Sequence, residues 1–147
     1  MSLLMGVRGI GALLGPFVTG PWAGSDDRRL RLGIFWGFVT AAVGYMLLSQ
    51  SPMLAFACAA VVLSHAGGST IWVFSTTLLQ MYTEDRFRGR VFAAELGLNM
   101  ASISAASYVA GRLIDSGLDA RKAALFTGCM LLIPALLWLR TLRRKLE

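Results

Sequence analysis

Between Arg31 and Glu84 the chain carries no Asp, Glu, Lys or Arg, and its one histidine, His65, lies there. A single helix crosses the hydrocarbon of a bilayer with about 20 apolar residues. The uncharged stretch is therefore too long for one crossing and suits two. Over the whole chain 56% of residues are apolar and 15% charged, against about 25% charged in soluble domains. A soluble domain of this size needs more charge to cover its surface. The expectation is an all-α polytopic membrane helix bundle with about five transmembrane helices.

Five segments carry that reading, at about 2–22, 32–49, 52–82, 91–114 and 123–139, in one transmembrane domain spanning 1–147. The first is rich in glycine, which disfavours a helix in water. In lipid, small residues let helices approach, and Gly11 and Gly15 form a GxxxG pair. Pro16 is expected to bend this helix. In the second segment Gly33, Gly37 and Gly44 share a face and predict another close contact. Pro52 suits the first turn of the third helix. That helix is long for one span, and tilt, a break at Gly67-Gly68 or extension past the interface would absorb the excess. Charged loops are expected at 24–31 and 84–90, and a connector at 115–122.

The net charge of +6 does not point to nucleic acid, because the basic residues sit in short clusters between apolar runs. Such clusters anchor membrane proteins on the cytoplasmic face. Loops one and three and the tail (Arg140, Arg143, Arg144, Lys145) hold ten Lys and Arg, against three in the 112–122 region. The C-terminus is therefore expected in the cytoplasm, the 50–52 turn and Met1 outside, and the chain in a bacterial inner membrane. Arg8, early in the first helix, would reach the outer interface. The N-terminus does not read as a signal peptide, since no basic n-region precedes the apolar run. Cys58 and Cys129 lie inside apolar segments with no metal-ligand spacing and read as small hydrophobes.

Two sets of polar residues could carry chemistry. His65, Ser69, Trp72, Thr76 and Gln80 recur at helical spacing along one face of the third helix. They read either as the lining of a water-filled substrate path or as hydrogen-bonding glue between helices. Glu95, Asn99 and Ser102 share a face of the fourth helix. A carboxyl at membrane depth is costly and marks a site by default. Glu95 has three readings: it snorkels, it pairs with a loop arginine such as Arg90, or it couples protons or binds substrate. No catalytic set is present. A single histidine excludes HExxH, there is no GxSxG or Walker A sequence, and no strand precedes the glycines at 6–11. Neither a metal nor a cofactor is expected.

The run Gln80-Met-Tyr-Thr-Glu-Asp-Arg-Phe-Arg-Gly-Arg-Val-Phe-Ala93, with Asp85, Arg86, Arg88, Gly89 and Arg90, resembles the loop between the tenth and eleventh helices of major facilitator superfamily transporters. It is most similar to the drug- and siderophore-exporter-like branch. The opening Gly-Val-Arg-Gly-Ile-Gly-Ala-Leu-Leu-Gly-Pro is similar to that branch's eighth helix. Gly24-Ser25-Asp26-Asp27-Arg28-Arg29 resembles a degenerate form, lacking the second glycine, of the family's Gly-x-x-x-Asp-x-x-Gly-Arg-Arg loop. The whole chain then resembles helices eight to twelve of twelve, part of the C-terminal half.

The resemblance implies secondary-active efflux of a small organic molecule coupled to protons, with Glu95 and His65 as the candidate titrating groups. It also implies a substrate site at the midplane between two halves that rock against each other. Five helices do not make that machine alone. The expected partners are the lipid bilayer, a small-molecule substrate and the missing N-terminal helices. The alternative is a non-transporting membrane remnant or an assembly subunit, and the DNA upstream of Met1 discriminates the two. A membrane-embedded enzyme has no nucleophile, metal or acid pair to support it.

Overall fold

Apolar runs of this length place helices in lipid, where every backbone N–H and C=O must be satisfied within the segment. The computed structural model describes residues 2–146, with side chains for residues 3–142, and is all-helical. It contains α1 (Ser2–Ala23), α2 (Asp27–Ser49), α3 (Leu54–Tyr82), α4 (Asp85–Asp115) and α5 (Ala120–Leu146). Among the described residues α1, α2, α3 and α5 are long and apolar enough to cross a membrane, and the chain is membrane-embedded. The fourth segment, expected as a further span, is not among them. It has the length, but Glu95, Asn99 and the serines at 102, 104 and 107 make it more polar than the others.

Hydropathy marks where a helix enters lipid, not where the helix begins. The expected loop at 24–31 shrinks to Gly24, Ser25 and Asp26. Gly24, at φ 52°, stops α1 in the left-handed region. Asp26 caps α2 by accepting the Arg29 N–H at 3.0 Å. The expected 84–90 loop is instead the N-cap and first turns of α4, where Asp85 pairs with Arg88 at 2.8 Å. Acidic residues at a helix start suit its macrodipole, so this charged sequence winds up rather than looping. Gly117, at φ 96°, ends α4. The Leu118 N–H reaches the Leu113 carbonyl at 3.0 Å, and the Gly117 N–H reaches that of Ile114 at 2.9 Å. Pro52 lies before the cap Met53 rather than in the first turn of α3. α3 is continuous through Gly67-Gly68, so no break absorbs its length. The basic tail residues Arg143, Arg144 and Lys145 fall outside the described side chains.

The expected glycine contacts are present. A Cβ at Gly11 or Gly15 would collide with the carbonyls of Val62 or Ala66, which packs α1 alongside α3 in parallel. Gly33 lies on the Phe74 ring, and Gly44 would meet the Ser64 nitrogen at 2.5 Å. A Cβ at Gly67 would in turn lie 2.5 Å from the Gly37 carbonyl oxygen, and these pairings make α2 and α3 antiparallel. On the other side of α2, α5 approaches through Gly128, where a Cβ would lie 2.9 Å from the Ala42 carbonyl oxygen. Ala23, Leu30, Ile34, Phe74 and Leu78 form the buried core at the end of the bundle carrying the arginine-rich turns, with Trp138 packed against it.

α4 stands apart. None of its residues is buried, and only Val91, Phe92, Glu95 and Asn99 are half-buried. Much of the remaining apolar surface faces outward, as in Leu13, Phe17 and Leu98, which suits contact with lipid or with further helices.

Candidate functional site

The face of α3 expected to act as one stripe meets three different neighbours. His65, half-buried, places Nδ1 3.0 Å from the Val61 carbonyl, to which a protonated Nδ1 donates, and 3.3 Å from Ser64 Oγ. Its ring centroid is 6.3 Å from that of Tyr45 on α2. Ser69 faces Gly15 of α1 and donates back to the Ala66 carbonyl at 3.1 Å. Trp72 and Thr76 turn toward α4, and Gln80 is exposed near the arginine-rich end.

The polar faces of α3 and α4 meet at one point. Thr76 donates to Glu95 Oε1 at 3.3 Å, a long hydrogen bond at the weak end of the range. Around it Gly68, Ile71, Trp72 and Ser75 of α3 face Glu95, Leu98, Asn99 and Ser102 of α4 across an open cleft of about 480 Å³. The lining runs from Gly68 to Ser75 on α3 and from Glu95 to Ser102 on α4, and the Thr76–Glu95 bond ties the two helices. Ser75 and Gly68 escaped the sequence reading. They belong to the cleft because α4 crosses beside the stripe rather than over its centre.

The loop-arginine reading of Glu95 finds no counterpart among the described residues, where Glu95 forms no ion pair. Arg90 precedes Glu95 by five positions, and helix neighbours stand three or four apart. The two side chains therefore leave the helix on different faces.

The residues of the two loop motifs serve mainly to hold helix ends. Arg86 pairs with Glu84 at 2.9 Å and lies over Phe87, while Arg88 pairs with Asp85. Gly89 is helical with open space around it, and Arg90 is exposed. Asp26 caps α2, Asp27 pairs with Arg31 at 2.7 Å, Arg28 is exposed, and Arg29 Nη1 donates to the Trp22 carbonyl at 2.9 Å. The tie from Asp27 to α3 runs through Tyr82, not through the 86–90 arginines. Sequence reading missed Tyr82 and Trp138, because a lone aromatic at a helix end carries no local pattern.

No protein-family model, curated protein or solved structure matches the chain.

In chemical terms the α3–α4 cleft offers a carboxyl, a hydroxyl, an amide and a half-exposed indole face. Such a set fits a small molecule with both a polar group and a flat apolar part, since sites of this size combine apolar walls with a few placed polar groups.

Proposed function

We propose that the chain is part of a membrane transporter for a small organic molecule, with the α3–α4 cleft as its share of the substrate path. One observation carries this reading. Glu95 lies against the membrane-length helix α3 in a cleft open to the surroundings, bonded to Thr76 and flanked by Trp72 and Asn99. Ionisable groups in such positions line substrate or ion pathways, because lipid does not solvate them. The same surface needs a facing wall, which further helices supply. The major-facilitator resemblance of 80–93 agrees with this reading, and proton-coupled efflux across a bacterial inner membrane is the form it implies.

The uncovered α4 also favours a second reading, a non-transporting assembly subunit in which another membrane protein seals the cleft. Cysteine accessibility separates the two. In a background without Cys58 and Cys129, Thr76→Cys and Asn99→Cys should react with a membrane-impermeant thiol reagent, while Phe17→Cys on the outer face of α1 should not. Silence at both cleft positions in the assembled protein would make the cleft an interhelical contact and sink the transport reading.

A further inference from the structure

On the side of α3 away from α4 lies a second concavity. α1 and α2 both pack closely on α3 but scarcely touch each other, leaving a groove of about 680 Å³ between them. Its lining is almost wholly apolar, and the hydroxyls of Thr19 and Thr70 are already bonded to carbonyls of their own helices. Gly15, Gly33 and Gly37 line it where α1 and α2 press closely on α3, and the exposed Trp22 and Trp36 line it as well. Along α1 the groove runs from Leu14 to Trp22, about 12 Å at 1.5 Å per residue. That is close to the depth of one leaflet, half of an apolar core about 30 Å thick.

Positive charge stands at one mouth of this groove. The Arg29 side chain is fixed against groove-lining Trp22, donating to its carbonyl at 2.9 Å with the guanidinium carbon 6.0 Å from the ring. Arg28 beside it is exposed. Neither arginine has an ion pair among the described residues. The nearby carboxylates are engaged elsewhere, Asp26 on the Arg29 backbone N–H and Asp27 on Arg31 and Tyr82. A helix laid in the groove would fill it and leave this pair of cations without a counter-charge. A phospholipid fills the groove with an acyl chain and brings a phosphate to the mouth.

We propose that the α1–α2 groove is a binding site for an anionic phospholipid, with an acyl chain along its apolar lining and the headgroup phosphate at Arg28 and Arg29. The site does not depend on the transport reading. Attraction of anionic headgroups by arginine near a membrane surface corresponds to about fivefold in affinity for each residue.

The test uses the full chain in phosphatidylcholine vesicles and follows tryptophan fluorescence. A minor share of chain-brominated phosphatidylglycerol should quench several-fold more strongly than the same share of brominated phosphatidylcholine. The Arg28→Gln/Arg29→Gln variant should bring that preference close to one. Val18→Phe, which fills the groove from an exposed position, should weaken quenching by both lipids. Equal quenching by the two lipids in the unaltered chain would overturn the proposal, as would a preference that survives loss of both arginines. Val18→Phe leaving quenching intact, or changing the oligomeric state instead, would assign the groove to another occupant.

Discussion

The phenol of Tyr82, at the end of α3, donates a 2.7 Å hydrogen bond to Oδ1 of Asp27, in the first turn of α2. Arg31 closes the knot, with Nε 2.7 Å from Asp27 Oδ2, Nη2 3.3 Å from the Tyr82 oxygen and its guanidinium over the Tyr82 ring. Trp138 of α5 donates to the Arg31 carbonyl at 2.9 Å. One end of the bundle is thus tied across three helices above the buried core of Leu30, Phe74 and Leu78. Tyr82→Phe removes the exposed bond to Asp27 and the longer one from Arg31 and should cost about 1 kcal/mol. Asp27→Asn weakens the contacts to both Tyr82 and Arg31 and should cost more. In thermal unfolding in detergent the two should lower Tm by a few degrees, in that order. An unchanged Tm for both would show that the knot adds nothing to stability.

The small-residue contact between α1 and α3 makes a sharper prediction. Gly15 abuts the Ala66 carbonyl, whereas Gly9, on the same helix, has open space around it. Gly15→Leu forces two backbones apart and should destabilise by about 1–3 kcal/mol or more. Gly9→Leu should leave unfolding almost unchanged. Limited proteolysis in detergent should cut the 24–26 turn faster in the Gly15 variant alone. Equal cleavage of the two variants would mean that α1 does not rest on α3 through this face.

The reach of sequence reading follows from which forces act locally. The membrane helices and their glycine faces were legible, because apolar length and the spacing of Gly33, Gly37 and Gly44 encode them directly. Helix starts at Asp27 and Asp85 were not, since charged residues outside lipid wind as readily as they loop. The candidate site was legible in halves. Glu95 and Asn99 were visible on one helix and Trp72 and Thr76 on another, but the register that brings them together depends on tertiary packing. Periodicity places His65 on the stripe, but its ring contact with Tyr45 of α2 depends on tertiary packing and was not legible.

Orientation is open to a direct check. The lysine and arginine bias predicts that the turns at 24–26 and 83–84 face the cytoplasm and the turn at 50–53 the outside. Gln50 is exposed in that turn, where the Arg121 side chain donates to the Ser51 carbonyl at 3.2 Å. Gln50→Cys, in a chain without its two native cysteines, should label from outside intact cells. Arg86→Cys should label only after the membrane is opened. The reverse pattern would invert the topology.

The placement of α4 decides the site, and its register can be tested by cross-linking. Thr76 and Glu95 are in side-chain contact, while Ser102 lies two turns further along α4 and lines the same cleft as Gly68. A Thr76→Cys/Glu95→Cys pair should therefore form a disulfide on mild oxidation. Thr76→Cys/Ser102→Cys should not, because the two positions are about 10 Å apart along the helix axis, beyond the separation that a disulfide bridges. Gly68→Cys/Ser102→Cys probes the far end of the same register and should cross-link more slowly, since α4 beyond Asn99 is exposed on all sides. A chain that cross-links 76 to 102 but not to 95 would have α4 shifted by two turns. Glu95 would then sit beyond the end of α3 rather than beside Trp72, and the cleft would lose its carboxyl.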